Sequence, residues 1–360
     1  MDLAKSLADI LQVLGKIPEL TITVMGDYCL DKYLYIDPRR DEDSVETGLV
    51  AYQVDRKEIY PGVGGTVAAN LCALGTRVLC AGMVGRDGEG SEMLEKLRAL
   101  GANTDSMVVS EEIYTSTYIK PMRKGEDGIY RELNRMDIRN FAPTPAHLED
   151  LLIANLESCA AVSDGIIITD QFFETDCSAV TSRIRKKIGE IAANFPGKFF
   201  YADSRGHINA YRNVVIKCNH LEVVQAILPE YTGEITAEQI EACGKSLYRQ
   251  THRPVIVTQG EKGSLVFNGE GPVAVPAFLV QGPIDIVGAG DATNAGTVVG
   301  LCLGLPLPAA ALLGNAVSSI TIQQIGVTGT ATLPQVRRRL TETLAALEKC
   351  RLKEIEGSNK

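Results

Sequence analysis

The string Asp285-Ile286-Val287-Gly288-Ala289-Gly290-Asp291, running on into Ala292-Thr293-Asn294-Ala295-Gly296, decides how the rest of the chain is read. Three residues without bulk precede an aspartate, and a long uncharged segment of helical character follows. Glycine lets the backbone turn sharply and approach a ligand. The first amides of the following helix have no partner within it and carry partial positive charge. Such a start holds anionic oxygens, and an Asp there can accept a proton from a nearby hydroxyl. An anion cradle plus a base is what phosphoryl transfer to an alcohol requires. The competing reading is a plain Gly-rich turn before a helix. No Gly-x-x-x-x-Gly-Lys-Ser/Thr occurs, which excludes a P-loop. No Gly-x-Gly-x-x-Gly follows the first expected strand, which argues against a dinucleotide fold.

Outside that string, composition sets the bounds. A chain of 360 residues with 45% hydrophobic and 22% charged residues fills one large α/β domain or two small ones. Its net charge of −9 argues against a nucleic-acid or anionic-membrane surface, while a local basic pocket for an anionic substrate stays compatible with it. The nine cysteines are scattered, among them Cys72, Cys80, Cys159 and Cys302, with no Cys-x-x-Cys pair. They read as reduced thiols of a cytoplasmic protein, and the four histidines show no metal spacing. Met1 to Leu20 has charges set among apolar residues at helical spacing, so a surface helix is expected there and not a signal peptide. Ala292 to Val336 holds no charged residue. Pro306 and Pro308 interrupt it and Asn294, Asn315, Gln323 and Gln324 polarise it, so two buried helices fit better than a membrane span.

Short β-branched runs alternate with amphipathic stretches. Strands are expected at Thr21–Met25, Arg77–Val84, Gly165–Thr169, Lys198–Ala202, Val214–Lys217 and Pro254–Thr258. Helices are expected at Glu89–Leu100, Asp176–Asn194 and Thr236–Gln250, the first closed by Gly101 and the last opened by a Thr236/Gln239 capping box. The alternation implies an α/β fold with a doubly wound, mostly parallel sheet that gathers ligands at the carboxyl ends of its strands. Tyr33–Tyr60 and Met107–Leu133 break the rhythm as strand-like stretches with charged tips. They read as β-hairpin insertions forming a small lid (35–60 and 107–133) on a kinase-like α/β body (1–34, 61–106 and 134–360). Arg351 to Lys360 reads as a solvated tail.

With these pieces placed, the chain resembles the ribokinase (PfkB) family of sugar kinases from near residue 20 to about 345. Asp285-Ile286-Val287-Gly288-Ala289-Gly290-Asp291 is similar to that family's Asp-Thr-Thr-Gly-Ala-Gly-Asp, with Ile286 and Val287 in place of the two threonines. The resemblance implies that Asp291 is the catalytic base and that the amides of Gly288, Ala289 and Gly290 form the anion hole. Asn219-His220-Leu221-Glu222 is similar to the Asn-x-x-Glu that organises Mg²⁺ and phosphate through water, and Asn219 is also a natural helix cap. Thr258, Gly260 and Gly263 fall in a Val-Thr-x-Gly-x-x-Gly of the nucleotide site, where a strand-to-strand turn is the plainer reading. Asn315 falls on the helix that lies against the adenine, or simply packs that helix. Carbonyls near Asp285 and the Ile325–Thr330 turn would hold a monovalent cation such as K⁺.

A narrower resemblance appears on the acceptor side. Gly26-Asp27-Tyr28-Cys29-Leu30-Asp31-Lys32-Tyr33 is similar to the opening of the heptose-phosphate kinases of lipopolysaccharide-precursor synthesis. Ser44-Val45-Glu46, Arg135-Met136-Asp137 and Thr169-Asp170 are similar to that branch as well. Asp203-Ser204-Arg205-Gly206 stands where those enzymes carry Asp-Pro-Lys-Gly, and a guanidinium there suits a substrate phosphate. Where the family reads Gly-Gly-x-x-Asn, this chain reads Gly62-Val63-Gly64-Gly65-Thr66, with Asn70 one helical turn on. The resemblance therefore implies an ATP- and Mg²⁺-dependent kinase of a sugar or sugar phosphate, its acceptor held by Asp27, Asp31, Thr66, Asn70, Asp170 and Arg205. A homodimer joined through lid strands is expected. Two alternatives stay open: a nucleoside or vitamin-precursor kinase of the same fold, and a non-catalytic sugar or nucleotide sensor.

Overall fold

The computed structural model describes residues 1–269 and 271–358. A nine-stranded sheet runs in the order Pro272–Val275, Ser264–Phe267, Val255–Thr258, Val215–Asn219, Phe199–Ser204, Gly165–Asp170, Thr21–Gly26, Arg77–Gly85, Asn103–Ser110. From Val255–Thr258 through Asn103–Ser110 all neighbours are parallel, and the two remaining edge strands are antiparallel. The chain builds outward from Thr21–Gly26 on one side, then returns to build outward on the other. That reversal opens a crevice at the carboxyl ends of Thr21–Gly26 and Gly165–Asp170. The doubly wound α/β reading holds.

Side chains alternating along each strand divide the interior into two cores. Ile22 and Val24 enter one and Met25 the other; Ile167 enters the first, Ile166 and Ile168 the second. The first core takes the helices Leu3–Val13, Gly64–Leu74, Ala289–Cys302 and Leu307–Thr321. The second takes Ala146–Val162, Ser182–Asn194, His220–Ile227 and Ala237–Thr251. Ala289–Cys302 and Leu307–Thr321 are the two helices expected within the uncharged stretch, and both are buried over most of their length, with Asp291 the one charged residue of the pair. Their backbones meet closely. A Cβ on Gly314 would stand 2.2 Å from Thr297 Oγ1, and one on Gly300 would stand 2.8 Å from Ala310 Cα. No helix of the described residues is long and apolar enough to cross a membrane.

A second, five-stranded sheet forms the lid. Its path is Met136–Ile138, Thr117–Lys124, Tyr28–Ile36, Val54–Val63, with Tyr130–Glu132 pairing to Thr117–Lys124. The lid therefore begins earlier than expected, at Tyr28, with Asp27 alone separating it from the strand Thr21–Gly26 of the main sheet. It also begins later than expected in the second segment, because Asn103–Ser110 completes the main sheet by pairing with Arg77–Gly85. At the first junction only Gly26-Asp27 separates two strand-like runs, too short a break to mark a change of sheet from sequence alone.

Two helix readings also shift. The expected start at Asp176 moves to Ser182: Asp176 has φ +57°, and its carboxylate accepts the N–H of Ser182 while Thr181 caps the helix. The expected tail is helical as far as Ser358, within Leu333–Ser358, and Asn359 and Lys360 lie outside the described residues.

Val63, at the corner from lid strand to helix Gly64–Leu74, has φ +55° and ψ −112°. A β-branched residue is strained there, at a cost of about 1–3 kcal/mol. Val63→Gly is therefore expected to leave stability within about 1 kcal/mol of the parent or to raise it. The same change in an unstrained, half-buried strand position costs about 2 kcal/mol. Urea unfolding measures this, and a loss above about 2 kcal/mol would refute the strain.

Candidate active site

Five parallel strands deliver polar residues to one edge. Thr169 lies opposite Asp203, Asp170 opposite Ser204, Asp203 opposite Lys217, and Asn219 opposite Thr258 in register. Asp27 follows immediately after Gly26, which is itself in register with Thr169. Gly26 has φ +133° and runs so close to Thr169 that a Cβ would stand 2.2 Å from its carbonyl oxygen. The first turn of helix Ala289–Cys302 closes this edge from above.

Gly288 adopts φ +77° to enter that helix, and a Cβ on it would stand 2.6 Å from Thr328 and 3.2 Å from Thr66. Only glycine leaves both conformation and space free there. Gly288, Ala289, Gly290 and Asp291 thus form one turn, as expected. Asp291 is half-buried, and its carboxylate makes no hydrogen bond among the described residues. Desolvation, then the charge of Asp203, push it up to about 7, against the pull of Lys217 and Arg205. A carboxylate poised near neutrality with no partner of its own suits a general base.

The other acids of this edge are engaged. Asp203 Oδ2 accepts from Lys217 Nζ at 2.8 Å and from Asn294 Nδ2 at 2.6 Å, and Asn294 Oδ1 accepts from Tyr201 at 3.2 Å. Asn294 stands one turn beyond Asp291 on the same helix. Asp170 is fully buried: Arg185 Nε, Ser204 Oγ and Tyr211 Oη all donate to its Oδ2 within 2.9 Å. Asp27 is also buried, its two oxygens accepting the N–H groups of Gln171 and Ala179, while desolvation raises it to about 7. Asp170 and Asp27 therefore secure the loop after Gly165–Asp170 and the corner into the lid. Asp170 Oδ2 is thus filled by three donors, while each Asp27 oxygen keeps acceptor capacity beyond the one N–H it receives.

Among the remaining expected residues, Thr66 donates to the Pro61 carbonyl and packs its methyl near Gly288. Asn70 is fully buried; its Nδ2 donates to the carbonyls of Thr66 and Gly329, and its Oδ1 has no hydrogen-bond partner among the described residues. Asn219 and Glu222 form a reciprocal capping box on helix His220–Ile227. Desolvation and the charge of Asp203 raise Glu222. Thr258 ends its strand beside Asn219, and the turn from Gln259 to Gly263 joins it to the antiparallel strand Ser264–Phe267, with Gly260 at φ +60° and Gly263 at φ +84°. Asn315 accepts from Ser264 Oγ and donates to the Pro276 carbonyl, which is the helix-packing role. Asp285 accepts the N–H groups of Val287 and Gly326 and so ties the entry of the turn to the segment before Thr330.

Lid residues line the opposite wall. Asp31 faces Gly62 and is held by Lys120 Nζ at 2.7 Å, which also donates to Tyr33. Arg135 and Arg139 stand 4.7 and 5.5 Å from the ring centroid of Tyr118. Arg205 is exposed, with no ion pair among the described residues, yet near enough to act on Asp291, Glu222 and Tyr118 together. Lys217, Asn294, Lys120 and Arg139 were not among the expected site residues. Lys217 carried a signal, a lysine inside the apolar run Val214-Val215-Ile216-Lys217-Cys218. The others depend on register and lid pairing. A cavity of about 470 Å³ lined by Gln323, Gln324, Arg338 and Arg339 opens elsewhere, beside helix Leu333–Ser358, with no comparable base and turn.

Comparison with known proteins agrees with this geometry. Residues 28–334 match the model of the pfkB family carbohydrate kinases. The bifunctional protein HldE of Azorhizobium caulinodans is 28% identical over 91% of this chain, and that of Wolinella succinogenes is 26% identical over 89%. The chain spans 65% and 64% of the length of these two relatives. The Arabidopsis thaliana ribokinase complexed with ribose and ATP superposes with a TM-score of 0.63 at 18% identity, covering 90% of this chain and 98% of that one. Phosphofructokinase-2 from Escherichia coli in complex with potassium gives 0.67 at 16% identity, covering 91% and 99%. Those two likenesses carry the fold, and the family match over most of the length carries the class: the chain belongs to the pfkB family of carbohydrate kinases, phosphotransferases whose acceptor is an alcohol group.

Proposed function

We propose that this chain transfers the γ-phosphoryl group of ATP to a hydroxyl of a sugar that already carries a phosphate. The observation that carries the reading is Asp291, an unpartnered carboxylate raised to about 7 in the first turn of a helix opened by Gly288-Ala289-Gly290. Asp291 takes the hydroxyl proton as the oxygen attacks, and the turn amides receive the oxygens whose charge grows in the transition state. The nucleotide lies along Asn219, Thr258 and the turn of Gly260 and Gly263. Bound Mg²⁺ supplies charge neutralisation of the phosphates. No group of three or more His, Cys, Asp or Glu side chains that could hold a metal ion occurs among the described residues. This fits an ion held by phosphates and water, with Glu222 orienting that water. Asp285 and the turn it ties suit a monovalent cation such as K⁺.

The acceptor lies between this edge and the lid wall of Asp31, Lys120 and Tyr33. Arg205 supports the phosphate it carries: its guanidinium is exposed, near enough to act on both Asp291 and the lid residue Tyr118, and has no ion pair among the described residues. The likeness of Gly26–Tyr33 to the heptose-phosphate kinases favours a heptose-type sugar phosphate. At the far end of the lid Val45, Leu49, Val50 and Tyr52 stand exposed, an apolar strip that suits pairing with a second copy. An ADP-release assay over sugars, sugar phosphates and nucleosides tests the reading. Tight acceptor binding without ATP consumption would favour a sensor, and turnover of nucleosides alone would move the substrate class.

Asp291→Asn is expected to lower kcat about 10²–10⁴-fold with nucleotide binding nearly intact, since the amide keeps the shape but takes no proton. A variant retaining more than about a third of parental kcat would remove Asp291 from the base role.

The base works when deprotonated, so kcat/KM is expected to fall about tenfold per pH unit below about 7 and to level off above it. A profile flat down to pH of about 5 would contradict the raised carboxylate.

Arg205→Ala is expected to raise KM for the phosphorylated acceptor about 10- to 150-fold while KM for ATP changes little, the span of one charge-assisted contact. Efficient turnover of an unphosphorylated hexose with no gain from its phosphate would overturn the phosphorylated-acceptor reading and leave the kinase standing.

A further inference from the structure

Lys217 sits on the last turn of strand before Asn219, and only 6% of its side chain is exposed. Burying an ammonium is costly unless its donors are used. It has three N–H donors, and among the described residues one is used, toward Asp203 Oδ2 at 2.8 Å. Nζ lies 3.1 Å from where a Cβ on Gly290 would stand, so the ammonium abuts the turn that precedes Asp291. The turn itself offers N–H groups, that of Ala289 donated to the Ile286 carbonyl and those of Gly288 and Gly290 without a turn partner among the described residues, and none of them can accept from an ammonium. Two sets of donors facing one small space need an anion between them. Asp203 is fixed in turn by Asn294 from the helix that carries Asp291, so the ammonium and the base are held on one frame.

We propose that Lys217 is a catalytic cation of this kinase, its ammonium contacting the oxygens of the transferred phosphoryl group opposite the Gly288–Gly290 amides. The proposal rests on the ATP reading above. As the acceptor oxygen bonds to the γ-phosphorus, the bond from that phosphorus to the β-phosphate oxygen breaks and ADP keeps the electron pair. The hydroxyl proton passes to Asp291, and Lys217 stays protonated throughout. Its charge offsets that of the phosphoryl oxygens beside two carboxylates, Asp291 and Asp203, that would otherwise repel them. A purely structural lysine would serve only to neutralise Asp203.

The neutral pair Lys217→Met with Asp203→Asn separates these roles. It removes both buried charges, so it folds where Lys217→Met alone could leave Asp203 unpaired. Binding of ADP and of the non-hydrolysable analogue AMP-PNP is measured by titration calorimetry with Mg²⁺, beside the parent protein. The expected result is ADP affinity within about threefold of the parent and AMP-PNP affinity lowered about 10- to 150-fold, as one charge-assisted contact to the γ-phosphate requires. Should the folded pair, or Lys217→Gln if the pair fails to fold, keep the parental AMP-PNP affinity, Lys217 is structural and the proposal falls. A parent that binds neither nucleotide would instead overturn the ATP reading, and the proposal with it.

Discussion

Carboxylates crowd the carboxyl edge of the main sheet, and how each is neutralised organises everything around it. Asp27, Asp170, Asp203, Glu222 and Asp291 all reach this edge, where low solvent access makes unpaired negative charge costly. Asp170 takes Arg185, Asp203 takes Lys217 and Asn294, and Asp27 takes two backbone amides. Glu222 closes a capping box. Asp291 alone in this group has no hydrogen-bond partner among the described residues, and it is the one placed at the mouth of a glycine turn. Its raised proton affinity follows from desolvation and from that exclusion: Asp203 and Lys217 are bound to each other, and Arg205 acts on it without a hydrogen bond.

The frame that holds this arrangement is backbone packing more than charge. Helix Ala289–Cys302 lies against Leu307–Thr321 so closely that Gly296, Gly300 and Gly314 leave no room for a side chain. The contact sets where the first turn of that helix, and so Asp291, meets the sheet. Interiors packed at this density transmit small shifts instead of absorbing them. Buried ion pairs such as Asp203 with Lys217 add little net stability once desolvation is counted. Their use here is to fix which atoms face the cleft.

The body of the fold was legible because parallel strands buried on both faces read as short β-branched runs, and because Thr236 with Gln239 and Asn219 with Glu222 announce helix starts that the structure keeps. The glycine turn was legible for the same local reason. The lid boundaries were not: Thr21–Gly26 passes into Tyr28–Ile36 across Gly26-Asp27 alone, too short a break to mark a change of sheet, and Asn103–Ser110 has the same pattern as the lid strands it resembles. Side-chain partners were the other blind spot. Asp27, Asp170 and Asn70 have the chemistry of sugar ligands, and nothing local in the sequence reveals that Gln171, Arg185 and Gly329 reach them first.

That difference reshapes the acceptor pocket. Thr66 stands in place of the family's amide and donates its hydroxyl to Pro61; the Nδ2 of Asn70 donates to its own helix and to Gly329, while its Oδ1 has no partner among the described residues. Ile286 and Val287, where the family carries threonines, bring no hydroxyl and stand exposed. The hydrogen-bonding groups of the floor thus differ from the family pattern, while the lid wall adds Asp31, Lys120, Tyr33 and Tyr118. After desolvation and Asp203, Asp31 on that wall is a further negative charge that already raises the proton affinity of Asp291, so the lid acts on the base as well as bounding the cleft.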